Sequence, residues 1–237
     1  MSPGPLALVG GNELNPGNEP QDQVLVAAAG DGPAYVVATA AARQRPDLAV
    51  RNAQRWFAGL GLEVEELPLT TKTLAGSPEV AARARAGRFF YLVGGDPGVV
   101  PKILAGSPAW AAIVAAWRDG AALAGSSAGA MAMGEWTLIR DRMPGDERRR
   151  YQPALDLVHG IAVVPHLDAF GGGWIDGALA APPRDDAVLL GLAERSAAVF
   201  TSGQWRVFGP GSVDLIAATG RTAYVAGERI DGLPPPS

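Results

Sequence analysis

Residues 121–131 read Ala-Ala-Leu-Ala-Gly-Ser-Ser-Ala-Gly-Ala-Met, an apolar run that ends in a glycine-flanked serine and continues into small, helix-forming residues. The pattern Gly125-x-Ser127-x-Gly129 predicts a sharp turn between a strand and a helix, because glycines let the backbone bend tightly. Such a turn projects the Ser127 hydroxyl from the carboxyl end of the strand. The same pattern is also compatible with a glycine-rich turn that has no chemical role.

The segments around this turn predict the fold class. Short apolar runs alternate with segments of helical pattern through the first half of the chain. Strands are predicted at Leu6–Val9, Tyr35–Ala38, Leu62–Leu67, Phe89–Val93 and Ala121–Ala124, and helices at Pro46–Gly59, Pro78–Ala86 and Ala109–Arg118. Because strands separated by helices form βαβ units, we expect an α/β fold with a mostly parallel central sheet flanked by helices on both faces.

The pattern changes after Trp136, where Asp141 to Arg150 predicts a charged loop. Short strands with tight turns follow at Ala197–Thr201, Trp205–Phe208, Val213–Ala217 and Thr222–Val225. These strands predict an antiparallel edge or extension of the parallel sheet towards the C-terminus. With 237 residues and no internal repeat or long linker, we expect one domain over residues 1–231 and a flexible tail over residues 232–237.

The composition excludes several classes of function. The chain has 20 basic and 24 acidic residues, a net charge of −4, so we expect no attraction to nucleic acid or to an anionic membrane. It has no cysteine, which excludes disulfide scaffolds and cysteine nucleophiles, and two histidines, too few for a histidine-rich metal site. The first basic residue is Arg43 and the apolar runs are short, so no leader or membrane span is predicted and a cytoplasmic location is expected.

A serine nucleophile needs a general base, and the two histidines are the candidates. His166 follows the apolar run 161–164, at the sheet edge where the active sites of open α/β folds lie, whereas His159 is predicted in a turn before that strand. His166 is therefore the favoured base. No histidine follows it, which argues against an ordinary α/β-hydrolase. The acidic residues after Ser127 that are candidates for orienting the imidazole include Asp156, Asp168, Asp176 and Glu194.

A second glycine turn follows the strand predicted at Phe89–Val93, in the stretch Gly94-Gly95-Asp96-Pro97. Asp96 and Pro97 are typical of the N-cap and first position of a helix. The functional interpretation is that Gly95 brings a backbone N–H close to a bound substrate as an oxyanion donor. No dinucleotide fingerprint follows this strand and no Walker-type lysine is present, so nucleotide binding has no support.

Three segments together resemble the dipeptidase E and cyanophycinase family of serine peptidases, whose fold resembles the class I glutamine amidotransferase domain. Residues 125–130 resemble the serine elbow of that family, which usually has threonine where Ser126 stands. Residues 93–96 resemble its Gly-Gly-Asn/Asp loop, and residues 191–197, Gly-Leu-Ala-Glu-Arg-Ser-Ala, resemble the segment that supplies its acid. The resemblance spans roughly residues 5–225.

The resemblance implies a Ser-His-Glu triad in which Ser127 is the nucleophile, His166 the base and Glu194 the orienting carboxylate. It implies an oxyanion hole formed by the backbone N–H groups of Gly95 and Ala128, with no metal and no cofactor. The implied reaction is hydrolysis of short peptides through an acyl-enzyme, with a preference for acidic N-terminal residues, by a monomer or homodimer.

The surroundings of His166 depart from the family pattern. Cyanophycinases have an Asp-Gln pair before the histidine and an arginine-rich stretch after it, whereas here Val164 and Pro165 precede it and residues 167–174 contain no arginine. Hydrolysis of cyanophycin is therefore not expected. A preference for acidic substrates needs a cation. The candidates in the charged loop are Arg148, Arg149 and Arg150.

Two other functions stay open at this level. An esterase or amidase would use the same triad on a different substrate. A catalytically inactive family member would act as a binding protein, which the altered surroundings of His166 suggest.

Overall fold

The computed structural model describes residues 2–140 and 149–237, whose strands form two sheets. The strands are β1 (Leu6–Val9), β2 (Ala34–Val37), β3 (Glu65–Glu66), β4 (Phe89–Leu92), β5 (Ala122–Ser126), β6 (Gly134–Arg140), β7 (Arg149–Pro153), β8 (Val158–Val164), β9 (Val188–Leu192), β10 (Ala197–Thr201), β11 (Gln204–Phe208), β12 (Val213–Ala217) and β13 (Gly220–Tyr224). The α-helices are α1 (Glu19–Ala29), α2 (Pro46–Gly59), α3 (Lys72–Ala75), α4 (Pro78–Ala86), α5 (Val99–Leu104), α6 (Pro108–Arg118), α7 (Ala128–Met131) and α8 (Ile175–Ala180).

The first sheet has seven strands in the order β11-β10-β1-β5-β4-β2-β3. Strands β1, β5, β4, β2 and β3 run parallel, and β10 and β11 extend the β1 edge in antiparallel orientation. The predicted α/β class, with a mostly parallel sheet and antiparallel strands towards the C-terminus, is confirmed.

Both faces of this sheet are buried under helices. In β1, Leu6 and Leu8 belong to one hydrophobic cluster, and Ala7 and Val9 belong to another. Because successive side chains of a strand point to opposite faces, the two clusters lie on the two sides of the sheet. Helix α6 contributes to the first cluster and helix α2 to the second. Continuous apolar strands in the sequence follow from this double burial.

The predicted bounds of α2 and α4 match the structure, and α6 begins one residue earlier, at Pro108. Proline stands in the first turn of each of these helices. Proline is tolerated there because backbone N–H groups in the first turn have no acceptor within the helix. The hydroxyls of Ser77 and Ser107 cap α4 and α6 by accepting backbone N–H groups. Helix α1 was not predicted, because Gln21 and Asp22 interrupt the apolar pattern on its buried face.

The second sheet has six strands in the order β13-β12-β9-β8-β6-β7. Strands β6, β8 and β9 run parallel, and the outer pairs are antiparallel. The expectation that all the late strands extend the first sheet is therefore wrong for β12 and β13: β12 pairs with β9 in the second sheet, and β13 pairs with β12. Apolar periodicity indicates a strand but does not select its partner sheet.

Part of the segment predicted as a charged loop is a strand. Arg149 and Arg150 begin β7 and pair with Arg140 and Ile139 of β6, so the loop prediction is wrong for these two residues. The remainder of the predicted loop, residues 141–148, lies outside the described residues. Strand β7 was not predicted because its sequence lacks the alternation of apolar and polar residues that indicates a strand.

The C-terminal residues, expected as a flexible tail, make specific contacts. Leu233 is buried, and the indole N–H of Trp205 donates to the carbonyl oxygen of Pro234 at 2.8 Å. The backbone N–H of Ser237 donates to the carbonyl oxygen of Leu157 at 2.9 Å. Residues 232–237 therefore lie against the body of the protein, while the single-domain division stays a prediction.

Within the described residues, no helix combines the length and the apolar character that crossing a membrane requires. The cytoplasmic location stays a prediction.

A buried carboxylic acid lies on the inner face of helix α1. Asp22 has no exposed surface, and its Oδ2 accepts a hydrogen bond from the indole nitrogen of Trp56 at 2.7 Å. Its other oxygen has no hydrogen-bond partner among the described residues. Burial raises the pKa of Asp22 from 3.8 to about 7, because the charged form has lost its hydration and gains only one donor.

This shift makes stability depend on pH with a defined sign. Between pH 4 and 7 the unfolded chain releases the Asp22 proton while the folded chain holds it, so the free energy of unfolding falls as the pH rises. We expect the free energy of unfolding of Asp22→Asn not to fall in this way. Relative to that of the wild type, it should increase by on the order of 3 kcal/mol between pH 4 and pH 8. Urea denaturation at both pH values measures the free energy of unfolding. Asp31→Asn, at an exposed aspartate, is the control. A difference between Asp22→Asn and wild type that does not change with pH would contradict the expectation.

Candidate active site

Ser127 lies in a strained turn between β5 and α7. Its backbone has φ 49° and ψ −113°, a conformation that side-chain-bearing residues rarely adopt. The flanking glycines leave no room for a Cβ atom: one at Gly125 would lie 2.5 Å from the Gly129 carbonyl carbon, and one at Gly129 would lie 2.3 Å from the Leu92 oxygen. The predicted strand–turn–helix arrangement is present, and it holds the serine at the carboxyl end of β5.

His166 lies two residues beyond the end of β8 and faces Ser127. Its Nε2 is 3.0 Å from the Ser127 Oγ, and its Nδ1 is 2.7 Å from Oε1 of Glu194. The side chains of His166 and Glu194 are 16% and 25% exposed, so the pair is screened from most solvent. The ring of Phe170 stacks on the imidazole with centroids 4.6 Å apart. The three predicted triad residues therefore form one hydrogen-bonded chain.

Glu194, in the loop after β9, is held in place by two further hydrogen bonds. Its Oε2 accepts a hydrogen bond from the side-chain amide of Asn12 at 3.1 Å, and its backbone N–H donates to Oδ1 of Asp168 at 2.9 Å. Among the other acids, Asp168 thus supports the acid loop and Asp156 bonds to His159 at 3.0 Å. The remaining candidate, Asp176, lies in the first turn of α8.

The two predicted oxyanion donors lie beside the serine. The Gly95 φ angle is +146°, and a Cβ atom there would approach the Ala40 carbonyl oxygen to 2.3 Å. Within residues 2–140 and 149–237, the backbone N–H groups of Gly95 and Ala128 have no hydrogen-bond partner. Both residues line one cavity together with Ser127. Two N–H groups are thus available to an oxygen atom bound there.

Two cavities meet at Ser127 and Gly95. The cavity on the imidazole side has a volume of about 280 Å³, and aromatic side chains and one arginine form part of its wall. The cavity on the opposite side has a volume of about 530 Å³ and is lined mainly by the loop before α2 and the first turns of that helix. The first is lined further by Pro97, Met131, Arg149, Pro165, Phe170 and Trp174, and the second by Glu13, Gln44, Arg45, Leu48 and Asn52.

Of the three arginines predicted in the charged loop, Arg149, at the start of β7, lines the imidazole-side cavity. Its guanidinium carbon lies 3.9 Å from the centroid of the Trp174 ring, a cation–π contact. Burial lowers the Arg149 pKa, and the nearby charge of Arg140 lowers it further. In the described parts of the chain its Nε has no hydrogen-bond partner. Of the other two candidates, Arg150 lies in β7 and pairs with Ile139 of β6, and Arg148 lies outside the described residues.

Glu13 is a site residue that sequence reasoning missed. It follows β1 and lies beside Ser127, with both carboxylate oxygens bonded to other parts of the site. The signal that would have found it is its position: a polar residue shortly after a parallel strand whose neighbour is β5.

One cluster outside this site has metal-ligating side chains: ligand atoms of Glu135, Asp156 and His159 lie within 4.8 Å of one another. The guanidinium of Arg184 donates to Glu135 at 3.1 Å and lies 3.4 Å from the His159 ring. A cation from the chain already neutralises these carboxylates, so the cluster is explained as an ion-pair network.

Comparison with solved structures gives the class of protein. A peptidase from an acI-B1 Actinobacterium is similar, with a TM-score of 0.83, 27% sequence identity and coverage of 96% of each chain. A putative peptidase E protein from Listeria monocytogenes EGD-e shares the fold, with a TM-score of 0.55, 16% identity, and coverage of 97% of this chain and 100% of that chain. No curated protein matches the chain.

This protein is accordingly a hydrolase of the peptidase class. It belongs to peptidase family S51, whose family model matches residues 6–201. The resemblance to the dipeptidase E family of serine peptidases is thereby confirmed.

Gly11 offers a direct test of the imidazole position. A Cβ atom there would lie 2.2 Å from Cε1 and 2.4 Å from Nε2 of His166, so Gly11→Ala must displace the ring. We expect peptidase activity to fall on the order of 100-fold, the effect of misplacing a catalytic group by about 1 Å. Gly120→Ala is the matched control, because Gly120 has nearly the same φ, +103° against +104°, and open space around its Cα. Equal activities of the two folded variants would contradict the prediction.

Proposed function

We propose that this protein hydrolyses short peptides through a triad of Ser127, His166 and Glu194 and a covalent acyl-enzyme. The observation that carries the proposal is the continuous hydrogen-bonded chain from the strained serine through both imidazole nitrogens to the carboxylate. Membership of peptidase family S51 supports the reaction class.

In the first step, the Ser127 Oγ attacks the carbonyl carbon of the scissile peptide bond. The hydroxyl proton moves to Nε2 of His166, 3.0 Å away, as the C–O bond forms. Glu194 accepts the hydrogen bond from Nδ1, which selects the tautomer with a free Nε2 lone pair and stabilises the imidazolium that results.

The negative charge of the tetrahedral intermediate then collects on the former carbonyl oxygen. The N–H groups of Gly95 and Ala128 are the donors proposed to bind this oxygen, since both residues line the cavity at Ser127 and their N–H groups have no internal partner in the described residues. Backbone donors held by the fold need no rearrangement when the charge develops.

Collapse of the intermediate breaks the C–N bond, and the imidazolium gives its proton to the leaving amine. A water molecule then attacks the acyl ester with His166 again taking the proton, and the second intermediate releases the carboxylic acid and restores the Ser127 hydroxyl. No metal or cofactor takes part in this proposed sequence.

The position of His166 orients the substrate. Because the imidazole protonates the leaving amine, the residue on the leaving side belongs in the cavity of Phe170, Trp174 and Arg149. The Arg149 guanidinium, whose Nε has no hydrogen-bond partner in the described residues, suits the C-terminal carboxylate of a dipeptide. This placement favours a dipeptidase over an endopeptidase, in which the chain continues beyond the leaving residue.

The acyl residue belongs in the opposite cavity. Arg45 lines that cavity and is the cation there that suits the side chain of an acidic N-terminal residue. The preference for acidic N-terminal residues is therefore assigned to Arg45 rather than to the three arginines considered in the sequence analysis.

Covalent labelling tests the triad. We expect a fluorophosphonate probe to add once, on Ser127, with no adduct in Ser127→Ala and a rate lower by on the order of 1,000-fold in His166→Ala. Intact mass measures the adduct over time, and peptide mapping locates it. His159→Ala, which removes the other histidine, is the control and should react at the wild-type rate. Failure to label the folded wild type would favour an inactive binding protein, and labelling with turnover of esters but not peptides would favour an esterase.

Comparison of a dipeptide with its C-terminal amide tests the proposed role of Arg149. We expect Arg149→Met to raise KM for Asp-Leu about tenfold, because one charge-assisted hydrogen bond to the C-terminal carboxylate is lost. The KM for Asp-Leu amide, which has no C-terminal carboxylate, should be unchanged. Methionine keeps an apolar contact with Trp174, and Arg118→Met on helix α6 is the control. If Arg149→Met instead removes discrimination between Asp-Leu and Asn-Leu, Arg149 binds the acidic side chain and the orientation proposed above is wrong.

A further inference from the structure

We infer that Glu13 is a positioning residue that fixes the oxyanion hole, an inference that rests on the proposed serine mechanism. Glu13 lies in the loop after β1 and touches neither His166 nor Glu194 by hydrogen bonds in the described residues. Its carboxylate instead joins the two segments that carry the oxyanion donors, one after β4 and one after β5.

Both oxygens of Glu13 have a donor. Oε1 accepts the backbone N–H of Gly94 at 2.8 Å, and Oε2 accepts the hydroxyl of Ser126 at 3.0 Å. Gly94 immediately precedes one oxyanion donor, Gly95, and Ser126 immediately precedes the nucleophile. Charge-assisted bonds of this kind are about twice as strong as bonds between neutral groups.

The peptide that carries the Gly95 N–H is fixed from both ends. On one side the Gly94 N–H is held by Glu13, and on the other the Asp96 N–H donates to the Ala40 carbonyl oxygen at 2.9 Å. The peptide between two glycines turns easily, because neither has a Cβ to oppose rotation. Without Glu13, one of the two anchors is lost and the Gly95 N–H is free to turn away from Ser127.

Close packing around Gly94 supports this role. A Cβ atom at Gly94 would lie 2.9 Å from Oε1 of Glu13 and 3.2 Å from the Cβ of Ser127. The carboxylate and the nucleophile therefore approach the same glycine from two directions, and the glycine permits both contacts. The bond to Ser126 ties this assembly to the strand that supports the elbow.

A different role, binding the amino group of a substrate, is less consistent with these contacts. Glu13 also lines the cavity for the acyl residue, so a free carboxylate there would attract an ammonium group. Each of its oxygens already accepts a donor from the protein. The two roles differ in kinetics, since binding lowers KM while a stabilised oxyanion raises kcat.

The test compares Glu13→Ala and Glu13→Gln on Asp-Leu hydrolysis and on the rate of fluorophosphonate labelling. We expect Glu13→Ala to lower kcat and the labelling rate about 100-fold with KM within threefold, the loss that follows removal of one oxyanion donor. Glu13→Gln should keep kcat within about fivefold of the wild type, because its carbonyl oxygen accepts from Gly94 and its amide donates to Ser126. Glu19→Ala is the control: its carboxylate bonds the Gly17 N–H in the same loop, away from Ser127.

Ser126→Ala keeps the inference testable if Glu13→Ala does not fold, since it removes only one bond and should lower kcat about fivefold to tenfold, with restoration in Ser126→Thr. An unchanged kcat, or a loss confined to KM, in Glu13→Ala or Ser126→Ala would overturn the positioning role. Absence of labelling in the wild type would instead overturn the proposed serine mechanism itself, so the two failures are distinguishable.

Discussion

The site depends on the absence of side chains between β4, β5 and α7. Gly125 and Gly129 contact each other through their backbones, and Gly129 also packs directly on the Leu92 carbonyl. This close approach allows the chain to leave β5 through the strained conformation of Ser127 and to enter a helix at once. Strain of this kind persists only where the surrounding packing determines the backbone. Here two parallel strands and a helix provide that packing.

The loop after β1 connects this turn to the second sheet. The Gly10 carbonyl oxygen accepts the backbone N–H of His166 at 2.8 Å, and the Gly11 oxygen accepts that of Arg195 at 2.9 Å. The segments that carry the imidazole and the acid are thus bonded to two consecutive residues of the loop that follows β1 of the first sheet. Since β8 and β9 are parallel neighbours, their carboxyl ends bring His166 and Glu194 together, although 28 residues separate them along the chain.

Much of the fold and of the site was predictable from local patterns. The alternation of strands and helices gave the class, and proline at the start of α2 and α4 gave their first residues. Ser127 and Gly95 were predictable because tight turns require glycine. The pairing of β12 with β9 was not predictable, since it is set by contact with a strand that is not its neighbour in sequence. Glu13 was missed for a similar reason: a lone carboxylate after a strand has no spacing pattern, and its partners lie 81 and 113 residues away.

The departure from the family pattern around His166 changes the chemistry of the imidazole-side cavity. Where cyanophycinases have arginines after the histidine, this chain presents Phe170, which stacks on the imidazole, and Trp174, which packs against Phe170 at a tilted angle. The positive charge comes instead from Arg149 on β7, held over the Trp174 ring. A guanidinium whose Nε lacks a partner in the described residues repels basic side chains and attracts a carboxylate, while the aromatic wall suits an apolar residue. The replacement therefore supports the proposed dipeptide substrate, whose leaving residue ends in a carboxylate, and argues against the proposal of a cationic polymer.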